Sequence, residues 1–188
     1  VLPEYRLDGK VAFVAGDADG ITPAIAIALA EAGAKVFIMA PGAPTVESSM
    51  LSVAAIGGEA LGQFGDPADP ERIERGLEAF MPIWGQGDIL VNNCRTYLGK
   101  PFEDTSTEEW DKVMNVNLKG SFLCAKHALL QMQKQGSGNI IMISSLSGLV
   151  SNPSPLRSRR SAFARGGARC RLRTRRSWAR QLPLRHHF

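Results

Sequence analysis

Gly16 and Gly20 stand directly after the apolar run at residues 11–15 and directly before a stretch of helical spacing. Glycines at such a junction allow a tight turn whose backbone N–H groups, together with the positive end of the following helix, face a phosphate. Asp17 and Asp19 lie between them and oppose that chemistry, since each carboxylate repels a diphosphate to an extent set by solvent screening. Asn92 and Asn93 end another apolar run, residues 89–91, and ligands of open α/β sheets bind at the carboxyl ends of the strands. Ser144 and Ser145 close a further run, residues 140–143. Strand-end serines taken alone are ordinary turn formers. Cys94, Cys124 and Cys170 are odd in number and lack C-x-x-C spacing, so they read as reduced thiols; no disulfide framework and no metal site is expected.

The elements that must carry these residues follow from hydropathy. Residues 11–15 are apolar without alternation, as in a parallel strand covered on both faces. Ile25, Leu29 and Ala32 then recur at helical spacing, Pro23 sits in the first turn where a missing N–H costs little, and Gly33 supplies a C-cap. Residues 36–40 form the next apolar run. Strand, glycine turn, helix and strand make the first half of a Rossmann unit. Residues 46–56 read as a helix stopped by Gly57-Gly58, residues 60–64 as a third strand, and residues 71–81 as a helix for which Asp69 before Pro70 is the N-cap. A fourth strand at 89–91 precedes a long helix from Thr107, with Trp110 at the N3 position of its capping box. Its apolar face is Trp110, Val113, Met114, Leu118, Phe122, Ala125 and Leu129. With a fifth strand at 140–143, the expected fold is α/β: a Rossmann-type doubly wound parallel sheet in the order 3-2-1-4-5, truncated after the fifth strand. At the end of the second strand, an acid would hold a ribose 2′-hydroxyl and a base a 2′-phosphate. Ala40 and Pro41 supply neither, so the choice between NAD and NADP stays open.

The 188 residues suit one domain with a substantial core, and 44% hydrophobic with 21% charged residues is the composition of a soluble globular protein. No apolar run approaches the roughly 18 residues of a transmembrane helix, and residues 1–10 lack a basic-then-apolar signal, so a cytoplasmic location is expected. The net charge of +4 conceals a split. Residues 1–150 hold 11 basic and 18 acidic residues, a net −7, whereas residues 151–188 hold 11 arginines with no lysine and no acid, a net +11. Residues 1–150 are therefore taken as the dinucleotide-binding domain and 151–188 as a separate Arg-rich tail. The tail reads as translation of a shifted reading frame, as a solvated disordered run or, least favoured, as a nucleic-acid clamp in which arginines meet phosphates and aromatics stack on bases.

Gly16-x-x-x-Gly20-Ile21, Asn92-Asn93-Cys94-Arg95, Asn115-Val116-Asn117-Leu118 and Ser144-Ser145 follow one another in an order that resembles the short-chain dehydrogenase/reductase family. The likeness covers about residues 6–150 and is similar to that of 3-oxoacyl-carrier-protein reductases. It implies an NAD- or NADP-dependent oxidoreductase acting on a small carbonyl, alcohol or acyl-thioester substrate, with relatives that pair as homo-oligomers through the long Trp110 helix. Gly16, Asp17, Asp19, Gly20 and Ile21 would form the phosphate turn. Asp66 would meet the adenine amino group, unless it is a turn carboxylate, and Asn93 would line the cofactor. Asn117 would distort its helix and position a water for proton relay, and Ser145 would hydrogen-bond the substrate carbonyl.

Departures from the family pattern are equally legible. Thr22 replaces the last glycine of the turn, which predicts a helix packed slightly further from its strand. Arg95 replaces a glycine beside the cofactor, bringing either bulk or a cation near the phosphates. The family's proton donor is the Tyr of Y-x-x-x-K. This sequence has two tyrosines, Tyr5 and Tyr97, and its last lysine is Lys134, so neither is present where it is needed. Ser161-Ala162-Phe163-Ala164-Arg165 resembles a remnant of the motif, with Ser161 for Tyr and Arg165 for Lys. A positioned acid contributes about 10²–10⁴-fold to such a reaction, and activity is expected to be impaired. The alternatives are a non-catalytic nucleotide-binding or scaffold protein, or nucleic-acid binding through the tail. The family's later strands are not recognisable, which predicts an open sheet edge at the fifth strand.

Overall fold

The apolar run that ends at Gly16 becomes β1 (Val11–Gly16), with every residue buried. The computed structural model describes residues 2–16, 21–66, 68–99, 103–145 and 169–172. After β1 come α1 (Ile21–Glu31), β2 (Lys35–Ala40), α2 (Ala43–Ala55), β3 (Ala60–Phe64), α3 (Pro70–Trp84) and β4 (Ile89–Asn93). There follow α4 (Thr107–Met114), a π-helical segment (Asn115–Gly120), α5 (Ser121–Gln135), β5 (Gly138–Met142) and a short β6 (Arg169–Leu172). The first five strands pair in parallel in the order β3-β2-β1-β4-β5, the order expected of a Rossmann-type doubly wound sheet.

Alternate residues of the strands feed two separate cores, which is why the runs are apolar throughout. Val11, Phe13 and Ala15 join Phe37, Met39, Leu90 and Ile140 against Ile73 of α3 and Cys124, Ala128 and Met132 of α5. On the other face Val14, Val36, Ile38 and Val91 meet Ala26 and Ala30 of α1 and Val53 of α2. Chain order therefore reverses at β1, with β2 and β3 on one side and β4 and β5 on the other.

The buried ridge of α1 is Thr22, Ala26 and Ala30, small residues that let the helix lie close to the sheet, and Ile25 and Leu29 pack beside it against the same core. The structure corrects three expectations. The capping box begins one residue earlier than the spacing suggests: Ser106 is the N-cap and Glu109 returns the bond, so Glu109 rather than Trp110 holds N3. The long helix is not one uninterrupted α-helix. A π turn interrupts it at Asn115–Gly120, and the buried positions run Val113, Asn117, Gly120, Leu123, Cys124, Ala128 and Met132. Leu118 and Phe122, expected on the apolar face, are 51% and 60% exposed, and the polar Asn117 takes the buried position instead. Finally, the edge of β5 is covered, because β6 pairs with it antiparallel, Ile140 opposite Cys170. The remainder of the Arg-rich tail, with Ser161 and Arg165, lies outside the described residues. Gly33 does cap α1 as expected, at φ +101°, a conformation suited to glycine.

At the amino-terminal ends of the strands two polar clusters fasten the layers. The buried Asp88 carboxylate accepts the Val11 N–H at 2.9 Å and the Lys10 ammonium at 3.0 Å, while its backbone bonds Val11 and Asn139, so one residue holds β1, β4 and β5 in register. Glu59 pairs with Lys35 at 2.9 Å and accepts the Trp84 indole N–H at 2.7 Å. The bond from Lys35, then that from Trp84, holds the Glu59 carboxyl below its usual range.

Asp88→Ala is expected to lower unfolding free energy by about 2–3 kcal/mol, because a buried N–H loses a charged acceptor. Asp88→Asn, which keeps an acceptor, is expected to lose less, and urea titration of both measures the difference. For Glu59 a lowered folded value means that its contribution is full above the usual carboxylate range and fades as pH falls through the lowered value. Both partners are substantially exposed, so the contribution is small. Thermal melts should show a slight advantage of wild type over Glu59→Gln at neutral pH that disappears in acid.

Candidate functional site

Gly16 ends β1 directly opposite Asn93 at the end of β4, and both are buried, Asn93 to 1% exposure. Their pairing lies at the point where strand order reverses, the place at which open α/β sheets form a ligand crevice. Helix α1 begins at Ile21, whose side chain is 44% exposed at this mouth. Asp17, Asp19 and Gly20 lie outside the described residues.

The segment leaving β4 is held by side chains that converge from three directions. Asn92 Nδ2 donates to the Ser121 carbonyl at 3.1 Å, and its Oδ1 accepts the Cys94 N–H at 3.0 Å. Asn93 Nδ2 donates to the Thr22 hydroxyl oxygen at 3.2 Å. Asn117, 1% exposed within the π turn, uses both ends of its amide on one residue. Its Oδ1 accepts the Thr96 N–H at 2.6 Å and its Nδ2 donates to the Thr96 carbonyl at 2.9 Å. Residues 92–96 are thus fixed on both sides of the half-buried Arg95. The β5 side closes the arrangement: the Ile143 N–H donates to the Asn92 carbonyl at 2.8 Å, and Ser144 and Ser145 follow immediately.

Asp66 lies just beyond β3, exposed, with its Oδ1 accepting the Ala68 N–H at 2.8 Å. That is turn chemistry, and it leaves the second carboxylate oxygen with no bond to Ala68. Asp69 caps α3 through the N–H groups of Glu71 and Arg72. The structure brings Gly16, Ile21, Asn93 and Asn117 to one end of the sheet with Ser145. Thr96 and Ser121, the anchors of Asn117 and Asn92, carry no sequence signal, because the contacts rest on their backbone, with the Ser121 hydroxyl adding a 3.5 Å bond to Asn92 Oδ1. Thr22 was visible only as a departure from the glycine pattern, yet it is fully buried, and a side chain on Gly16 would run into its hydroxyl. An open cleft of about 780 Å³ lies elsewhere, at the amino-terminal ends of β2 and β3 between Arg6, Glu31, Lys35 and Glu59. It contains none of the residues above. Among the described residues there is no cluster of His, Cys, Asp and Glu able to hold a metal ion, and no helix long and apolar enough to cross a membrane.

Residues 10–156 match the family described as short chain dehydrogenase. An uncharacterized oxidoreductase of Thermotoga maritima is 42% identical over 149 residues, covering 79% of this chain and 58% of its own. A 3-oxoacyl-[acyl-carrier-protein] reductase of Synechocystis is 33% identical over 148 residues, 78% of this chain and 60% of the reductase. A D-beta-hydroxybutyrate dehydrogenase of Rhizobium meliloti is 36% identical over 148 residues, 77% and 57%. The crystal structure of a short-chain type dehydrogenase/reductase from Mycobacterium marinum superposes with a TM-score of 0.81 at 30% identity, over 86% of this chain and 65% of that one. The chain thus spans less than two thirds of the length of these relatives.

Asn117→Ala is expected to cost about 2 kcal/mol, for two buried hydrogen bonds, and to speed amide hydrogen exchange at Thr96 selectively. Unchanged exchange at Thr96 together with a loss below about 0.5 kcal/mol would mean that the clamp contributes nothing.

Proposed function

Because the chain belongs to the short-chain dehydrogenase/reductase family, we propose that it binds NAD or NADP in the crevice between β1 and β4 and that its hydride-transfer activity is impaired. The observation that carries the reading is the pairing of Gly16 with Asn93 at the reversal of strand order, beside the start of α1. The residues present suit a dinucleotide: the end of β1 carries no side chain, the helix directs its positive end there, and the flanking segment 92–96 is held rigidly. Gly16, Gly20 and Ile21 would receive the diphosphate, with Asp17 and Asp19 weakening the attraction, and Asn93 would line the crevice. Asp66 would use its remaining carboxylate oxygen toward the adenine amino group.

A bound nicotinamide supplies a hydride to, or accepts one from, a carbonyl or carbinol carbon. The protein's part is to place that carbon and manage its proton. Ser145 would hold the substrate oxygen by its hydroxyl, at the end of β5 and across from the Asn92–Thr96 segment. Asn117, by fixing Thr96, would keep that wall in place and, through the widened π turn, position a water. Proton delivery is the weak step. Y-x-x-x-K does not occur in the 188 residues, and a serine hydroxyl is too weak an acid to replace a tyrosine lowered by a lysine. Substrates of the class suggested by the relatives' names, hydroxy acids or acyl thioesters, fit this reading. Exposed Leu118, Phe122 and Leu130 suit pairing with a second copy.

The missing Tyr and Lys also favour a second reading, a nucleotide-binding protein that does not catalyse. Calorimetric titration with NADH and NADPH, alongside a steady-state reductase assay on a small ketone, separates the two. Binding of at least one coenzyme is expected, with turnover about 10²–10⁴-fold below that of a relative bearing the full motif. Binding with no turnover at all supports the non-catalytic reading, and a folded chain that binds neither coenzyme contradicts both.

A further inference from the structure

We propose that Thr22 is a positioning residue for coenzyme binding, its hydroxyl serving as the peg that joins the start of α1 to the end of β4. The inference rests on the nucleotide-binding reading above. Thr22 is the second residue of α1 and is 0% exposed. Its Oγ1 accepts the Asn93 Nδ2–H at 3.2 Å, and it occupies the space into which a Cβ on Gly16 would project. Asn93 itself is paired through its backbone with Gly16. Thr22, Gly16 and Asn93 therefore form a closed triangle: two strand ends side by side and a helix start above them.

The family pattern has a glycine at this position, where absence of a side chain lets helix and strand approach. The present chain fills that space and gains a directed bond instead. An amide held to a hydroxyl fixes orientation as well as separation, whereas glycine packing fixes separation alone. The peg continues a series of side-chain clamps already in place: Asn92 on Cys94 and Ser121, and Asn117 on Thr96. Through Thr22 the helix start that would face a diphosphate is tied to the segment that would face the nicotinamide. The hydroxyl belongs to the protein's internal frame and makes its contribution through Asn93 and Gly16.

Thr22→Val keeps the shape and removes the hydroxyl, and Thr22→Ser keeps the hydroxyl and removes the methyl. Folding of each is verified by circular dichroism, and Thr22→Ala stands in for Val should that variant not fold. NADH and NADPH are then titrated by protein fluorescence, and the Asn93 side-chain amide is followed by NMR in the coenzyme-free protein. Loss of the bond is expected to weaken coenzyme binding at least about tenfold in Thr22→Val and to shift the Asn93 amide, while Thr22→Ser stays within about threefold of wild type. Equal affinity of wild type and Thr22→Val overturns the proposal, as does equal weakening by Val and Ser, which would assign the effect to packing of the methyl group. If folded wild type binds neither coenzyme, the nucleotide reading itself fails and takes the positioning role with it, a result visible before any variant is made.

Discussion

Strands buried on both faces have no lateral surface on which to display polar chemistry, so the chain must place it at their ends. This constraint shapes the whole sheet. β1 is covered by α1 and α2 on one side and by α3 and α5 on the other, and its neighbours β2 and β4 come from opposite directions of chain progress. The helices connecting these neighbours leave on opposite faces, which opens a crevice above Gly16. Both faces must remain apolar for the crevice to exist, and the register that puts Gly16 beside Asn93 follows from the same packing. Asp88 secures that register from the far end, where a single buried carboxylate takes hydrogen bonds from the first two residues of the Lys10-Val11 segment.

At the carboxyl ends the polar side chains act chiefly on backbone. Asn92, Asn93 and Asn117 each bond a group that is fixed by a neighbouring element, and the loop after β4 is thereby made rigid without an element of its own. Buried amides of this kind are costly if left unpaired and specific when satisfied. The widened turn of the helix is part of the same device. It carries Asn117 on the buried face of the helix while the apolar Leu118 and Phe122 stay exposed. A polar amide at a buried position beside exposed apolar residues is a local departure from the usual pattern.

The sheet was readable because its strands are continuous apolar runs separated by glycine turns, a signal that needs no knowledge of partners. The Gly33 cap was legible from its position after the helical spacing, whereas strand order came from the likeness to the doubly wound Rossmann fold. Less could be read where an interaction used backbone or put a polar residue on a buried face. Thr96 contributes main-chain groups to the clamps, and Ser121 its carbonyl together with a long hydroxyl bond to Asn92 Oδ1. A helix face chosen by its apolar residues fails at Asn117, a polar residue on the buried stripe, and wrongly places Leu118 and Phe122 inside. Thr22 was recognised as an anomaly, but its bond to Asn93 depends on a register that only the folded sheet supplies. The capping box was missed by one residue because Thr107 and Ser106 are both competent caps, and the deciding bond comes from Glu109. β6 was hidden because R-C-R-L, although it alternates polar and apolar residues, is only four residues long within an arginine-rich stretch.

The central claim is that the crevice joining Gly16 and Asn93 receives a nicotinamide dinucleotide. Mapping backbone amide shifts by NMR during titration with NADH or NADPH tests it most directly. The account predicts saturable shifts at Gly16, Ile21 and Asn93, with the Lys35 and Glu59 amides at the opposite end of the sheet unmoved. Saturable shifts confined to that opposite cleft, or none at any position of the folded protein, would contradict it.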